Sequence, residues 1–168
     1  MADRGSVMVS SGAVGLVPLA VTLVLAILML LPIGSGVANV TMPHLVMISC
    51  FYWLSSRPLL MPYGACAIAG FALDLWLDVP LGLNMVLLLL ARLFVLTQLK
   101  HFKGRNRLVY WAVFSTMSLG LYIISWVIIS IVDGMLWPAK PLALQWLVTA
   151  FSYAPVAFVL GRLRRWVF

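Results

Sequence analysis

The segment that shapes this chain is Gly70-Phe-Ala-Leu-Asp74-Leu-Trp-Leu-Asp78-Val-Pro80-Leu-Gly82-Leu-Asn84, which lies between two long apolar runs. Asp74 and Asp78 are four residues apart and therefore share one face of a helix. Pro80 and Gly82 then end that helix and start the next, because the residue before a proline is pushed out of helical geometry. The segment predicts a tight helical hairpin with an acidic tip, in which Asp78, Pro80 and Gly82 form the turn.

Small side chains precede the two carboxylates on the same helical face. Cys66, Gly70, Asp74 and Asp78 follow one another at intervals of four residues. Small residues at this spacing let a second helix approach closely in a membrane. We therefore expect Cys66, Gly70 and Asp74 to pack against another helix, either within this chain or in a partner.

The composition is typical of a helical membrane protein. Of the 168 residues 64% are apolar and 9% are charged, whereas soluble domains carry about 25% charged residues. The mean hydropathy is +1.12. Apolar runs of about 20 residues recur, which is the length that crosses a bilayer as a helix, and they do not alternate as the strands of a barrel would. We predict an all-α polytopic membrane protein that forms a single integral membrane domain over residues 1–168.

Six transmembrane helices are predicted. The spans cover residues 14–32, 41–54, 60–77, 82–99, 108–132 and 142–160. Residues 1–13 are expected to form a loose terminus, and the first span exceeds the apolar core of about 7–15 residues of a signal peptide, so we expect a retained anchor. Pro43 is expected in the first turn of the second span. Residues 100–107 are expected to form a basic loop.

The distribution of basic residues predicts the orientation. Six spans place both termini on one side, which then carries every lysine and arginine except Lys140 and Arg92. Because cytoplasmic loops are enriched in lysine and arginine, we expect a multi-pass protein of the bacterial inner (plasma) membrane with both termini in the cytoplasm. The hairpin tip then faces outward. The net charge of +7 follows from this bias, so we expect membrane lipid and no nucleic acid as a partner.

Two ionisable side chains fall inside predicted spans, where such groups are functional candidates. For Asp74 we favour a role in capping a turn or pairing with a neighbouring helix, over transport, proton relay or simple outward exposure. For Arg92, about 12 Å from the inner face at 1.5 Å per residue, we favour snorkelling or pairing with a carbonyl over a salt bridge to Asp74. Asp78 is expected to be a solvated turn residue whose charge suits the dipole of the fourth helix.

No catalytic residue, cofactor or metal ion is expected. His44 and His101 fall near opposite faces of the membrane and cannot share a metal ion, so each is interpreted as a lone interfacial histidine. No Ser/His/Asp or Cys/His set converges at one depth. The remaining polar side chains are too few and too scattered to line a binding cavity: Asp74, Asp78, Asp133, Gln145 and His44.

The two cysteines, Cys50 and Cys66, both fall within apolar segments. From the predicted spans we expect them at different depths, about 10 Å apart at 1.5 Å per residue. Nothing in the sequence resembles a CxxC pattern. We therefore predict two free thiols and no disulfide bond.

The chain resembles the rod shape-determining protein MreD family. The resemblance is carried by short motifs in a fixed order: Pro43-His44-Leu45, Phe51-Tyr52-Trp53, Arg57-Pro58, Leu60-Met61-Pro62, Gly70-Phe-Ala-Leu-Asp74-Leu and Pro80-Leu-Gly82-Leu-Asn84. The six-span layout extends it over the whole chain. His44 is a departure, since relatives often have an acidic residue there, and Trp76 and Asp78 fill a part of the hairpin that is frequently smaller.

This resemblance implies a non-catalytic scaffold subunit of the bacterial cell-elongation machinery. MreD-like proteins associate with MreC, a single-span protein with a large periplasmic domain, and through it they connect to the MreB filament and the peptidoglycan-synthesising enzymes. The resemblance also implies an S-component-like bundle, because the family's fold is similar to the substrate-binding S component of vitamin uptake transporters. The alternative function is therefore a substrate-binding membrane subunit of such a transporter, which would need an outward cavity with convergent polar groups.

Overall fold

Six α-helices make up the part of the chain that the structure describes. This computed structural model describes residues 4–30, 42–77, 79–102, 104 and 106–167. Its elements are α1 (Arg4–Leu30), α2 (Leu45–Ser56), a 3-10 turn (Pro58–Leu60), α3 (Tyr63–Trp76), α4 (Leu83–Phe102), α5 (Arg107–Val132) and α6 (Ala139–Val167). The all-α prediction is confirmed. Two of the helices, α5 and α6, are long and apolar enough to cross a membrane, and the apolar parts of the others are shorter.

Helix α2 forms the centre of the bundle. It packs against α1, α4 and α6, and it also touches α5. Most of its 12 residues are buried, as is typical of a helix that is apolar on nearly every side. At 1.5 Å per residue α2 is about 18 Å long. The other helices are therefore arranged around a short central one.

An aromatic cluster joins α2 to the long helices. The ring of Phe51 on α2 lies 5.3 Å from that of Phe114 on α5 and 5.7 Å from that of Tyr153 on α6, edge to face in both pairs. Phe114 and Tyr153 stack on each other at 4.7 Å. Aromatic pairs in these geometries contribute about 0.5–1.5 kcal/mol beyond the burial of their area. The cluster therefore holds α5 and α6 against the central helix.

Two tryptophans join α5 and α6 to each other. The indole Nε1–H of Trp111 donates to the carbonyl of Ala150 at 2.9 Å, and that of Trp146 donates to the carbonyl of Ser115 at 3.2 Å. These bonds run in opposite directions across the helix pair and lie at different heights. A tryptophan in an apolar setting needs a partner for its N–H, so both residues fix the helices in register.

The helix bounds differ from the predicted spans mainly at the ends. Helix α1 begins at Arg4, so residues 4–13 are helical and not the loose terminus that was expected. Helix α2 begins at Leu45 with His44 as its N-cap. The expectation that Pro43 lies in the first turn is therefore wrong, since Pro43 precedes the helix. The expected loop at 34–39, the predicted span start at Thr41 and Asp78 lie outside the described residues.

The basic segments are more helical than expected. Helix α4 continues through Lys100 and His101 to Phe102, and α6 continues through Arg164 and Arg165 to Val167. Lysine and arginine are good helix formers, and their charge is favourable at the negative C-terminal end of a helix. Part of the predicted basic loop, and the residues from the predicted end of the sixth span at 160 up to Val167, therefore extend helices.

The predicted separation of the two cysteines is wrong. Their Sγ atoms are 3.7 Å apart. Helices α2 and α3 are joined by residues 57–62, which include the 3-10 turn and turn the chain back on itself, so that Cys50 on α2 and Cys66 on α3 come to the same level. Both thiols are free in the structure.

Candidate functional site

Asp74 closes the hairpin of α3 and α4 by accepting three backbone hydrogen bonds. Its Oδ1 accepts the N–H of Asn84 at 2.8 Å, and its Oδ2 accepts those of Gly82 at 2.9 Å and Met85 at 3.3 Å. These amides lie at the start of α4, where N–H groups have no partner within the helix and where a negative charge suits the helix dipole. The side chain is 2% exposed. The negative charge at the start of α4 therefore comes from Asp74, whereas the sequence suggested Asp78 for this role.

Gly70 allows the two helices of the hairpin to touch through their backbones. A Cβ atom at this position would lie 2.4 Å from the Cα and 2.6 Å from the N atom of Met85. Both are backbone atoms, so no side-chain rotation would make room. Gly82 in the turn has φ +94°, a left-handed conformation that glycine adopts without the steric cost of a Cβ. The carbonyl of Pro80 accepts the N–H of Leu83 at 3.1 Å and completes the turn.

The three residues predicted to pack against another helix all face inward. Cys66 lies against Cys50 of α2, Gly70 lies against Met85 of α4, and Asp74 caps α4. All three are buried. This face of α3 is therefore used within the chain, and its surface is not available to a partner helix.

His44 links the start of α2 to two other helices. Its Nδ1 accepts the N–H of Met47 at 3.3 Å, which caps α2, so the tautomer that fits carries its proton on Nε2. Nε2 lies 3.3 Å from Oδ1 of Asn84 on α4, and the backbone N–H of His44 donates to Oγ1 of Thr149 on α6 at 3.0 Å. The interpretation of His44 as a lone interfacial histidine is wrong, because its ring is buried and bonded on both sides.

The network continues from Thr149 to α5. The hydroxyl of Thr149 donates to the carbonyl of Gln145 at 2.7 Å, so it can accept the hydroxyl of Tyr122 at 3.1 Å. The amide of Gln145 also reaches the carbonyl of Met42 at 3.5 Å. A continuous set of buried hydrogen bonds therefore joins α2 to α6. We call its five main members the polar layer: His44, Asp74, Asn84, Tyr122 and Thr149.

Each member of the polar layer comes from a different element, so the layer ties five helices together. The expectation that Asp74, Gln145 and His44 are scattered is wrong, because the fold brings them to one end of the bundle. Tyr122 and Thr149 were not singled out from the sequence, and Asn84 was named only as the last residue of the hairpin segment and of its family motif. Of these three residues, only Asn84 has a sequence feature that could have indicated the layer, since it is an amide side chain at the start of a predicted apolar span.

The polar layer is suited to holding the five helices together. The ring nitrogens of His44, the carboxylate of Asp74, Oδ1 of Asn84 and the hydroxyls of Tyr122 and Thr149 are bonded to one another or to backbone groups, and buried groups paired in this way rigidify a core. No member lines the cavity of about 790 Å³ at the opposite end or the one of about 320 Å³ beside Pro80 and Asp133. Among the described residues there is also no group of three His, Cys, Asp or Glu side chains that could hold a metal ion.

Arg92 binds the connection between α2 and α3. Its Nη1 donates to the carbonyl of Pro58 at 3.2 Å and to that of Met61, and its guanidinium lies 4.4 Å from the ring centroid of Tyr63. Arg92 is 8% exposed. This geometry matches the carbonyl pairing favoured from the sequence, whereas the carboxylate of Asp74 is bonded to amides at the start of α4.

The other motif residues surround this connection or the polar layer. Arg57 is exposed, and its N–H donates to the carbonyl of Trp53 at 2.7 Å to cap α2. Trp53 is fully buried in the core, while Tyr52 is half-buried and lines the larger cavity. Pro43 precedes His44 and so lies next to the polar layer. Pro58 accepts from Arg92.

The described helices are largely apolar, and two of them are long enough to span a bilayer, which is consistent with a helical membrane protein. The chain belongs to the rod shape-determining protein MreD family, whose model matches residues 10–161. This confirms the resemblance seen in the sequence. Family membership implies a role in rod shape determination and places the chain in a membrane-associated family of shape-determining structural proteins.

The searches of curated proteins and of solved structures found no match. The S-component-like bundle therefore stays a prediction.

Proposed function

We propose that this chain is a non-catalytic scaffold subunit of the bacterial cell-elongation complex. It binds an MreC-like single-span protein in the inner membrane and helps couple the MreB cytoskeleton to peptidoglycan synthesis, with MreB and the synthetic enzymes reached indirectly. The observation that carries the proposal is the match of residues 10–161 to the MreD family. The internal pairing of the polar layer supports it, because such a layer makes a rigid platform.

The proposed topology has six membrane-crossing helices and both termini in the cytoplasm. Helix α2 ends, α5 begins and α6 ends at one end of the bundle, which carries Arg57, Arg107 and Arg164. Lys140 lies at the opposite end, in the first turn of α6. Lysine and arginine are enriched on the cytoplasmic side of membrane proteins. The polar layer then lies toward the periplasm, where the soluble part of an MreC-like partner would be.

We assign the partner contact to an exposed face of α5. Ala112, Thr116 and Gly120 recur there at intervals of four residues, and all three are exposed. A Cβ on Gly120 would meet nothing within 4 Å, and the hydroxyl of Thr116 is satisfied by the carbonyl of Ala112 at 3.0 Å. Small residues at this spacing allow two helices to approach closely in a membrane. A single transmembrane helix of a partner can therefore lie against this face.

The test is co-purification of this chain with its MreC-like partner from membranes. Gly120→Leu fills the proposed contact and prevents close approach of a partner helix, and it should reduce the recovered partner about tenfold, which corresponds to a loss of about 1.4 kcal/mol. Gly64→Leu is the matched control: Gly64 is also exposed on a helix, α3, with nothing within 4 Å of its Cβ position. It should leave recovery unchanged.

The outcomes separate the function from the surface. If the unaltered chain fails to retain an MreC-like partner, the scaffold proposal is wrong. If the partner is retained but Gly64→Leu is the variant that releases it, the contact lies on α3. Stabilisation of the purified chain by a vitamin, without any binding of an MreC-like partner, would favour the uptake-transporter alternative.

A further inference from the structure

A cavity of about 790 Å³ opens at the end of the bundle opposite the polar layer. It lies between the end of α2, the start of α5 and the last turns of α6. One part of its wall is basic and is formed by Arg107, Arg162, Arg164 and Arg165. The other part is apolar and is formed by Trp111, Phe151, Ala154, Ala157 and Phe158. The cavity therefore has two chemically distinct halves.

The basic half has no counter-charge among the described residues of its wall. None of the described residues that line the cavity is an aspartate or a glutamate. Like charges brought together repel one another unless an anion lies between them. The guanidinium of Arg164 lies 5.9 Å from the ring centroid of Tyr52, which also lines the cavity. Arginine presents a planar fork of donors that matches phosphate oxygens, so a phosphate group is the anion that this wall suits.

The apolar half requires more than a free anion. Phe151 is 69% exposed and Phe158 is 64% exposed, and both lie on α6, a long helix that the rest of the bundle covers little. An inorganic ion would leave these rings uncovered. An alkyl chain would bury them at about 25 cal/mol per Å² of apolar surface. The occupant that fits both halves has a phosphate head and an apolar tail.

We propose that this cavity binds one anionic phospholipid. Its phosphate contacts the guanidinium groups of Arg162 and Arg164, and the upper part of an acyl chain lies against Phe151 and Phe158. The volume is within the range of about 300–1,000 Å³ typical of small-ligand sites, which is enough for a headgroup and the beginning of the chains. Basic pockets between membrane helices are known to hold such headgroups. This inference does not depend on the proposed partner or on its contact surface.

Native mass spectrometry of the full chain in detergent tests the proposal. The protein is titrated with phosphatidylglycerol, with phosphatidylcholine of the same acyl chains, and with inorganic phosphate. We expect one retained phosphatidylglycerol, about tenfold weaker retention of phosphatidylcholine, and no retained phosphate. Loss of one charge-assisted contact should make Arg164→Gln bind phosphatidylglycerol about tenfold more weakly. Lys100→Gln, which removes an exposed charge on α4 outside the cavity, should bind like the unaltered chain.

A second pair of variants tests the apolar half without changing any charge. Ala157→Phe fills the cavity and should also weaken retention about tenfold, whereas Ala143→Phe, at an exposed position of α6 outside the cavity, should have no effect. Equal retention of the two lipids, or equal behaviour of Arg164→Gln and Lys100→Gln, overturns the proposal. So does saturation of the site by inorganic phosphate alone, which would make it a site for a free anion, and so does normal lipid retention by Ala157→Phe.

Discussion

The N–H of Asn84 donates to the carboxylate of Asp74 at 2.8 Å, while the side chain of the same asparagine bonds the ring of His44. Asn84 therefore connects two parts of the polar layer: its backbone bonds Asp74 in the hairpin, and its side chain bonds His44 at the start of α2. The closure of the hairpin between α3 and α4 and the attachment of α2 to the bundle are thus coupled through one residue.

Asp74→Asn should lower the free energy of unfolding by about 1–3 kcal/mol, the cost of leaving buried hydrogen-bonding groups without a partner. The asparagine amide keeps one acceptor oxygen. Its NH₂ group replaces the other oxygen and cannot accept a hydrogen bond, so at least one backbone N–H at the start of α4 loses its partner. Thermal unfolding of the detergent-purified chain measures the change. Asp133→Asn is the control, because Asp133 is exposed and keeps an acceptor for the indole of Trp137. Equal losses in the two variants would contradict a capping role for Asp74.

Gly70→Ala should destabilise the bundle by about 1–3 kcal/mol or more, as expected when extra volume is forced into a packed core. The added Cβ would lie 2.4 Å from the Cα of Met85, so the helices must move apart. Gly64→Ala adds the same atom where nothing lies within 4 Å and should be neutral or stabilising by at most about 1 kcal/mol. The melting temperatures of the two variants measure this difference in stability. A Gly70→Ala protein as stable as the control would show that α3 and α4 can separate freely.

His44 and Asn84 should show a favourable coupling of about 1 kcal/mol in a double-mutant cycle, the net value of a typical intramolecular hydrogen bond. The cycle consists of His44→Ala, Asn84→Ala and the double variant, each unfolded thermally under the same conditions. Both single losses should be larger than the coupling, because His44 also caps α2 and Asn84 lies in the core. Strictly additive losses would mean that the two side chains do not interact.

Arg92→Met should destabilise the connection between α2 and α3, since the carbonyl of Met61 loses its donor and that of Pro58 keeps only the N–H of Met61 at 3.4 Å. Each buried group left without a partner costs about 1–3 kcal/mol. Limited proteolysis should then cut residues 57–62 faster, and thermal unfolding should shift downward. Lys100→Met, at an exposed position of α4, serves as the control. Unchanged proteolysis in Arg92→Met would show that the connection holds its shape without the guanidinium.

The hairpin was largely predictable because its signals are local. Pro80 and Gly82 determine the backbone of the turn by their own conformational limits, and the spacing of Gly70 and Asp74 follows from helix geometry. The sequence could not show which group Asp74 bonds. That depends on how far α4 turns back toward α3, and the result is that the amides at the start of α4, including Asn84, reach its carboxylate.

The polar layer was harder to predict because its members are far apart in the chain. His44, Tyr122 and Thr149 are single polar residues in apolar surroundings, and each has many ways to be satisfied by its own helix or by a terminus. Only packing of α2 between α4 and α6 brings them together. The level of Cys50 was misjudged for a related reason, since residues 57–62 turn back within the bundle and so change the depths of α2 and α3 relative to each other.

The shortness of α2 has a consequence for how the bundle sits in the proposed topology. Helix α2 rises about 18 Å, whereas the hydrocarbon of a membrane is about 30 Å thick. One of its ends carries the hydrogen bonds of His44 and the other borders the arginine-lined cavity, so in the proposed topology both polar ends lie below the headgroup level. Because other helices surround α2, protein shields these polar groups from lipid, and the longer helices α5 and α6 set the thickness that the bilayer must match.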